Sequence, residues 1–374
     1  MKRVITLIKI FTVLLLLNCI NSVYAKPQNI HWNNVKKIVV LGDSLSDPHN
    51  FYTRFWGNAP KYPYYNGRFT NGKIWCDYLL NRLANNQNDI AWSTYKKYYF
   101  NDSFTGFKSV DTWSTTTIGD VVIENYALGS AYIKLFRRDP EILSIIPDTF
   151  FPSLNDEIEQ YIKKNNLQGV QNIQSESQSK TLYIVWIGAM DFLNLFDYAT
   201  ASGKSLEEEA KNRHLVDDNQ PNFGYSLAEK LKESLIDLIQ NYKAAHIMLI
   251  NLPHIGNTPY VHMQGSKSGD DMNKLIDLYN LHLAEIVDDL NQQHTNINIT
   301  LVRSDEFMDH ISSYNSNINQ LDSACYTGDY TGSPKPVTLC QNESEYLFFD
   351  KVHPTPMVYK SFAEEYLMKN YPSF

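Results

Sequence analysis

Cysteine is scarce in this chain, with four among 374 residues, at positions 19, 76, 325 and 340. That scarcity excludes a small disulfide-built scaffold and a cysteine-rich zinc module. Histidines and carboxylates do not cluster at metal-ligand spacing, so no metal or other cofactor is expected. Positive charge is in deficit too: the net charge of −8, with no basic block, argues against a general nucleic-acid binder. After residue 25 no apolar run approaches the ~20 residues that a membrane helix requires. Internal repeats and a recognisable linker are also missing, and residues 26–374 are read as a single domain.

The first 25 residues are of another kind. Met1-Lys2-Arg3, an apolar run from Ile10 to Leu17 and the small residues Val23 and Ala25 predict a secretory signal peptide, cleaved after Ala25. The chain is therefore expected outside the cytoplasm, in a periplasm or beyond it. There, Cys325 and Cys340 enclose the loop YTGDYTGSPKPVTL, which has neither helical nor strand period and suits a disulfide-closed surface loop. Cys76, in GKIWCDYLL, is read as a buried free thiol.

Five short runs rich in Val and Ile have strand character: Lys37–Leu41, Val121–Tyr126, Thr181–Ile187, Ala245–Asn251 and Ile297–Val302. Helical patterns lie between them, near Gly72–Leu83, Ser153–Lys164, Tyr225–Tyr242 and Asp271–Gln292, and a last helix is expected to start at Pro354. The alternation predicts an α/β fold built on a doubly wound parallel sheet. Two polar stretches, Asn86–Gly119 and Leu195–Gly224, break the alternation and are read as excursions beyond the sheet.

In VVLGDSLSD the first strand stops at Gly42, and Ser44 follows between Asp43 and Asp47. Gly, Asp and Ser are also the commonest turn formers, so these nine residues leave Ser44 open as turn residue or nucleophile. A serine nucleophile needs a base to take its proton and a third group to hold that base. Among ten histidines, His353 stands out: FFDKVHPTP places Asp350 three residues before it and Pro354 after it. Proline keeps the preceding residue extended, so His353 projects from a loop, with Asp350 in reach of one ring nitrogen. His254, after a strand end in NLPHIGNTP, is a second histidine that could border a pocket.

The blocks GDSLSD, GRFTNGKIWCDYL, ENYALGSA, IVWIGAMD and DKVHPT occur, in that order, as in the GDSL or SGNH esterases and lipases. The chain resembles that family from Leu41 to Pro356, and within it the bacterial secreted phospholipases A, lysophospholipases and glycerophospholipid:cholesterol acyltransferases. The resemblance implies a flavodoxin-like three-layer sandwich, a five-stranded parallel sheet with helices on both faces. It implies Ser44 as nucleophile, His353 as base and Asp350 as its orienter, with Asp43 and Asp47 left as turn residues. The backbone amides of Ser44 and Gly129 are implied as oxyanion donors, with Ser130 the alternative at the second position. One block departs: where the family has Gly-x-Asn-Asp, this chain has Gly188-Ala189-Met190-Asp191. Methionine donates no hydrogen bond, and nearby Asn194 is a candidate replacement.

A lipid or other acyl ester substrate follows from the resemblance, with a membrane surface met only as substrate. Acyl transfer to an alcohol such as a sterol also follows. Phe51, Tyr52, Phe55 and Trp56 are candidate acyl-chain contacts, or simply core. In the resembled branch, loops such as Cys325–Cys340 can restrain activity until a protease cuts them. Carbohydrate O-deacetylation on the same fold, and a low-activity lipid or partner binder, are the competing readings; Met190 is the binder's direct support.

Overall fold

The structure is a computed structural model that describes residues 29–85, 90–100, 107–134, 151–167, 179–263, 265–331 and 337–374. The expected signal peptide, at 1–25, lies outside the described residues.

All five expected strands form. They are β1 (Lys37–Gly42), β4 (Val121–Asn125), β5 (Thr181–Trp186), β6 (His246–Ile250) and β7 (Asn298–Val302), paired in parallel in the order β4-β1-β5-β6-β7. The sheet has seven strands rather than five. Beyond β4 it continues through β3 (Phe107–Ile118) and β2 (Ser93–Phe100), both antiparallel. These come from the stretch expected as an excursion. β-branched and aromatic residues favour a pleated surface, and along β2 exposure alternates as on a sheet wetted on one face. Lys97 lies on the exposed face, so polarity there marks a wetted strand face, where polarity alone suggested a loop.

The parallel strands are buried on both faces because their side chains alternate between two cores. Val39, Leu41, Tyr183, Val185, Ile247 and Leu249 pack against helices Leu154–Lys164, Ala189–Ser202, Phe223–Gln240 and Ser266–Gln293. Ile38, Val40, Leu182, Ile184, Met248 and Ile250 pack with Trp75–Leu83 and the helical C-terminal segment 356–370. Local chemistry sets the helix starts. Ser153 accepts from the Asp156 amide while the Asp156 carboxylate accepts from the Ser153 N–H at 2.7 Å, a reciprocal cap that satisfies two otherwise orphaned donors. The second expected excursion, Leu195–Gly224, is largely helical, because helix Ala189–Ser202 runs into it and Leu206–Asn212 follows from a Ser205 cap.

The last helix starts two residues later than expected, with Pro356 at its first position after an extended Thr355. Pro354 belongs instead to an extended strip. The Phe349 N–H donates to the His353 carbonyl, the Thr355 N–H to the Leu347 carbonyl, and the Thr70 hydroxyl to the Pro354 carbonyl. That strip carries His353 to the carboxyl ends of the parallel strands, where ligands of open α/β sheets bind.

Candidate active site

Ser44 stands two residues past β1 and is almost buried. Its turn can form only because residue 42 is glycine: a Cβ there would lie 2.2 Å from the Trp186 carbonyl oxygen. The turn is fastened by carboxyl groups that accept backbone N–H bonds. Glu157 Oε2 accepts from Gly42 at 2.8 Å. Asp47 accepts from four amides, those of His49 and Asn50 through Oδ1 and those of Phe51 and Gly129 through Oδ2. Asn50 adds side-chain bonds to the carbonyls of Asn125 and Ala127, at 3.0 and 2.9 Å. Asp43 and Asp47 are thus turn residues, yet deeply buried ones. Burial raises Asp43 to about 7 and Asp47 to about 6, against the lowering effect of the amides they accept from.

The structure brings Ser44, His353 and Asp350 together across 309 residues. Ser44 Oγ lies 2.8 Å from His353 Nε2, and His353 Nδ1 lies 2.9 Å from Asp350 Oδ2. Asp350 also accepts from the N–H groups of Val352 and His353, at 2.8 and 2.7 Å. Its remaining partner is one that sequence reasoning missed: Tyr64 donates its hydroxyl to Asp350 Oδ2 at 2.9 Å. Nothing in KYPYYNG distinguishes Tyr64 from its neighbours, although it stands three residues before the GRFTNGK block. Burial pushes the Asp350 carboxyl up, but the His353 ring and these donors outweigh it and hold the group below its ordinary value. The His353 ring packs against both Phe69 and Tyr330, with centroids at 5.1 and 5.9 Å. This arrangement allows a hydroxyl to lose its proton to a ring held in one tautomer by a buried carboxylate.

The oxyanion side needs a correction. The Gly129 N–H, expected as a donor, is given to Asp47 at 2.8 Å. Glycine stands there for room: a Cβ would lie 2.4 Å from the Phe69 ring. Ser130, in the left-handed region at φ 70°, borders the same cavity as Ser44. The backbone N–H groups of Ser44 and Ser130 meet no protein acceptor among the described residues. Met190, in the first turn of the helix after β5, lines the cavity, as does the buried Asn194 one turn later on the same helical face.

The cavity has a volume of about 420 Å³. Trp186, Leu193, Ile255, Met308 and Phe348 give it an apolar wall, and His254, Asp197 and Tyr260 add polar groups. His254 does border it, pinned between Asp309 and Asp277 at 3.1 and 2.9 Å. Its hydrogen bond to Asp309, opposed by burial and helped by Asp277, raises it to about 9. Phe51, Tyr52, Phe55 and Trp56 do not line the cavity; Phe51 packs behind it on Phe69 and Phe55. Cys325 and Cys340 are joined in a disulfide, and Tyr330 of the enclosed loop forms part of the cavity wall. Cys76 is buried and unpaired, and burial raises its thiol well above the usual range.

Residues 38–366 match the family described as GDSL-like Lipase/Acylhydrolase. A phosphatidylcholine-sterol acyltransferase of Aeromonas hydrophila is 23% identical over 232 residues, which are 61% of this chain and 48% of that protein. The chain thus spans about half the length of that relative. A GDSL esterase/lipase of Arabidopsis thaliana is 24% identical over 360 residues, covering 89% of this chain and 85% of that protein. Among solved structures, a catalytic mutant of an acetylxylan esterase from Geobacillus stearothermophilus superposes with a TM-score of 0.40 at 11% identity. That superposition covers 89% of this chain and 93% of the other.

Proposed function

The chain belongs to the GDSL-like lipase/acylhydrolase family, a family of ester hydrolases, and from that premise we propose that it cleaves the acyl esters of phospholipids or lysophospholipids through Ser44, His353 and Asp350. The observation that carries this reading is the continuous hydrogen-bonded line from Ser44 Oγ through the His353 ring to Asp350, opening on an apolar cavity.

Ser44 Oγ attacks the ester carbonyl carbon while its proton passes to His353 Nε2. Asp350 stabilises the imidazolium that results and keeps Nδ1 protonated. The negative charge that develops on the carbonyl oxygen falls to the N–H groups of Ser44 and Ser130. Collapse breaks the C–O bond, and His353 returns its proton to the leaving alcohol. Water, or a second alcohol such as a sterol, then attacks the acyl-serine and gives its proton to His353. The bond from the acyl carbon to Ser44 Oγ breaks, and His353 returns the proton to Ser44 as the acid or new ester leaves. The apolar wall suits an acyl chain better than a sugar.

Export through the segment at 1–25 belongs to the same proposal, and the Cys325–Cys340 disulfide supports an oxidising compartment. So does control by the disulfide loop: Tyr330 stacks its edge on Phe69 at 5.3 Å and faces His353. A protease cutting that loop would free this wall of the cavity.

The test incubates the mature chain, before and after limited proteolysis of the loop, with phospholipid, lysophospholipid, short acyl esters and acetylated sugars. Fatty acid release from the lipids is expected, and Ser44→Ala should lower it by about 10⁶-fold. Release that persists in Ser44→Ala removes Ser44 as nucleophile. Release of acetate alone removes the lipid reading.

A further inference from the structure

The stretch 55–67 leaves large rings outside the fold: Trp56 is 60% exposed, Tyr62 84% and Tyr65 41%. Single exposed apolar side chains are ordinary. Three aromatic rings within ten residues, with Lys61 as the only charge in the stretch, are not. Trp56 is also presented by its backbone. It sits at φ 55°, where a bulky residue is a genuine outlier. Lys96 reaches its ring, with Nζ 4.1 Å from the centroid, while donating to the carbonyls of Thr53 and Arg54. The indole is therefore held out on a cation that is itself fixed to backbone.

This stretch borders the cavity. Tyr64, between the exposed Tyr62 and Tyr65, reaches inward to Asp350. The Lys61 N–H donates to the Tyr330 carbonyl at 2.8 Å, joining the stretch to the disulfide loop, where Tyr330, Val337 and Leu339 are also exposed. We infer that this aromatic rim is a docking surface for a phospholipid–water interface, seating the cavity mouth against the lipid.

Trp and Tyr combine an apolar body with a polar tip, and so favour the layer between headgroups and chains. A chain with a net charge of −8 and one lysine in the stretch gains little from an anionic surface. The fitting partner is therefore zwitterionic, a phosphatidylcholine surface bound through rings rather than through charge. The inference rests on the acyl-ester reading of the cavity, and it names how an insoluble substrate reaches Ser44.

The test uses the mature chain carrying Ser44→Ala, so that vesicles stay intact, and measures co-sedimentation with phosphatidylcholine vesicles. Trp56→Ser with Tyr62→Ser should weaken partitioning at least tenfold. Bromine-labelled phosphatidylcholine should quench tryptophan emission, and Trp56→Phe should lose part of that quenching. With Ser44 restored, the same variants should hydrolyse a water-soluble short acyl ester within twofold of the parent, which also verifies folding. Equal partitioning of parent and variants overturns the inference, as does no partitioning by the parent. A dimer of the parent that these variants abolish overturns it as well, assigning the rim to a second copy. Short-ester hydrolysis without vesicle binding removes the docking surface and spares the esterase. Vesicle binding without hydrolysis of any ester does the reverse.

Discussion

Ser44 and His353 meet at 2.8 Å, yet the two sides of that contact are held by different physics. On the serine side the fasteners are neutral donors on buried carboxyls: four amides on Asp47 and the Gly42 amide on Glu157. On the histidine side one carboxyl, Asp350, faces a titratable ring and a phenol, within a cluster of Tyr64, Tyr326, Phe349 and Tyr330. Burial dominates the first environment and raises Asp47, whereas charge and hydrogen bonds win in the second and lower Asp350. For the carboxyl that scaffolds the loop, burial works against the charge; for the one that steadies an imidazolium, its partners favour the charge.

Replacing both aspartates is the strongest way to break this contrast. Asp350→Asn should lower kcat by roughly 10⁴-fold, because an amide favours the wrong ring tautomer. Asp47→Asn should keep kcat within tenfold but remove about 1–3 kcal/mol of stability, since one oxygen that accepted two N–H bonds becomes a donor. Equal kcat losses in the pair, measured on a short acyl ester, would erase the distinction. Met190→Asn tests the wall that neither side supplies. If Ser44 and Ser130 alone hold the oxyanion, an added carboxamide should raise kcat by up to about 100-fold; if Asn194 already serves, the gain should vanish. Smaller again, Tyr64→Phe should lower kcat by roughly tenfold at constant KM, the value of one hydrogen bond to a charged group.

The finest expected effect lies in the pH dependence of stability. Asp47 is raised in the fold from 3.8 to about 6, so between those values the folded chain binds more protons than the unfolded one. Stability from this group is therefore greatest below pH 4 and falls as pH rises toward 6. Asp350, lowered in the fold, acts in the opposite sense: its contribution is present above pH 4 and is lost as pH falls through its depressed value. Denaturant midpoints for Asp47→Asn should decline less between pH 4 and 6 than those of the parent chain.

Much of the scaffold was legible because buried parallel strands must be apolar on both faces, and runs such as Thr181–Ile187 have no other plausible use. On the histidine side the proline set the local backbone, but the roles of Asp350 and His353 were legible through the resemblance of the DKVHPT block. What escaped was set by distant contacts. Tyr64 looks like any tyrosine until a residue 286 positions away accepts a hydrogen bond from its hydroxyl. Gly129 was singled out for its N–H, yet it is required for its missing side chain, because Phe69 fills that space. The edge hairpin was misread because a strand with one wet face shows the polarity of a loop.

That hairpin matters for solubility as well as shape. Among the described residues strand β2 ends the sheet, with a row of backbone groups available to pair with another molecule's strand. Seven strands would make a good template for stacking, copy upon copy, if the outermost one were flat and greasy. Instead it carries two consecutive lysines, Lys96 and Lys97, at its centre, and slips register between Tyr99 and Phe100. Charge and irregularity of this kind discourage edge-to-edge growth. The residues that hid the strand from recognition are those that stop the sheet from continuing into its neighbour.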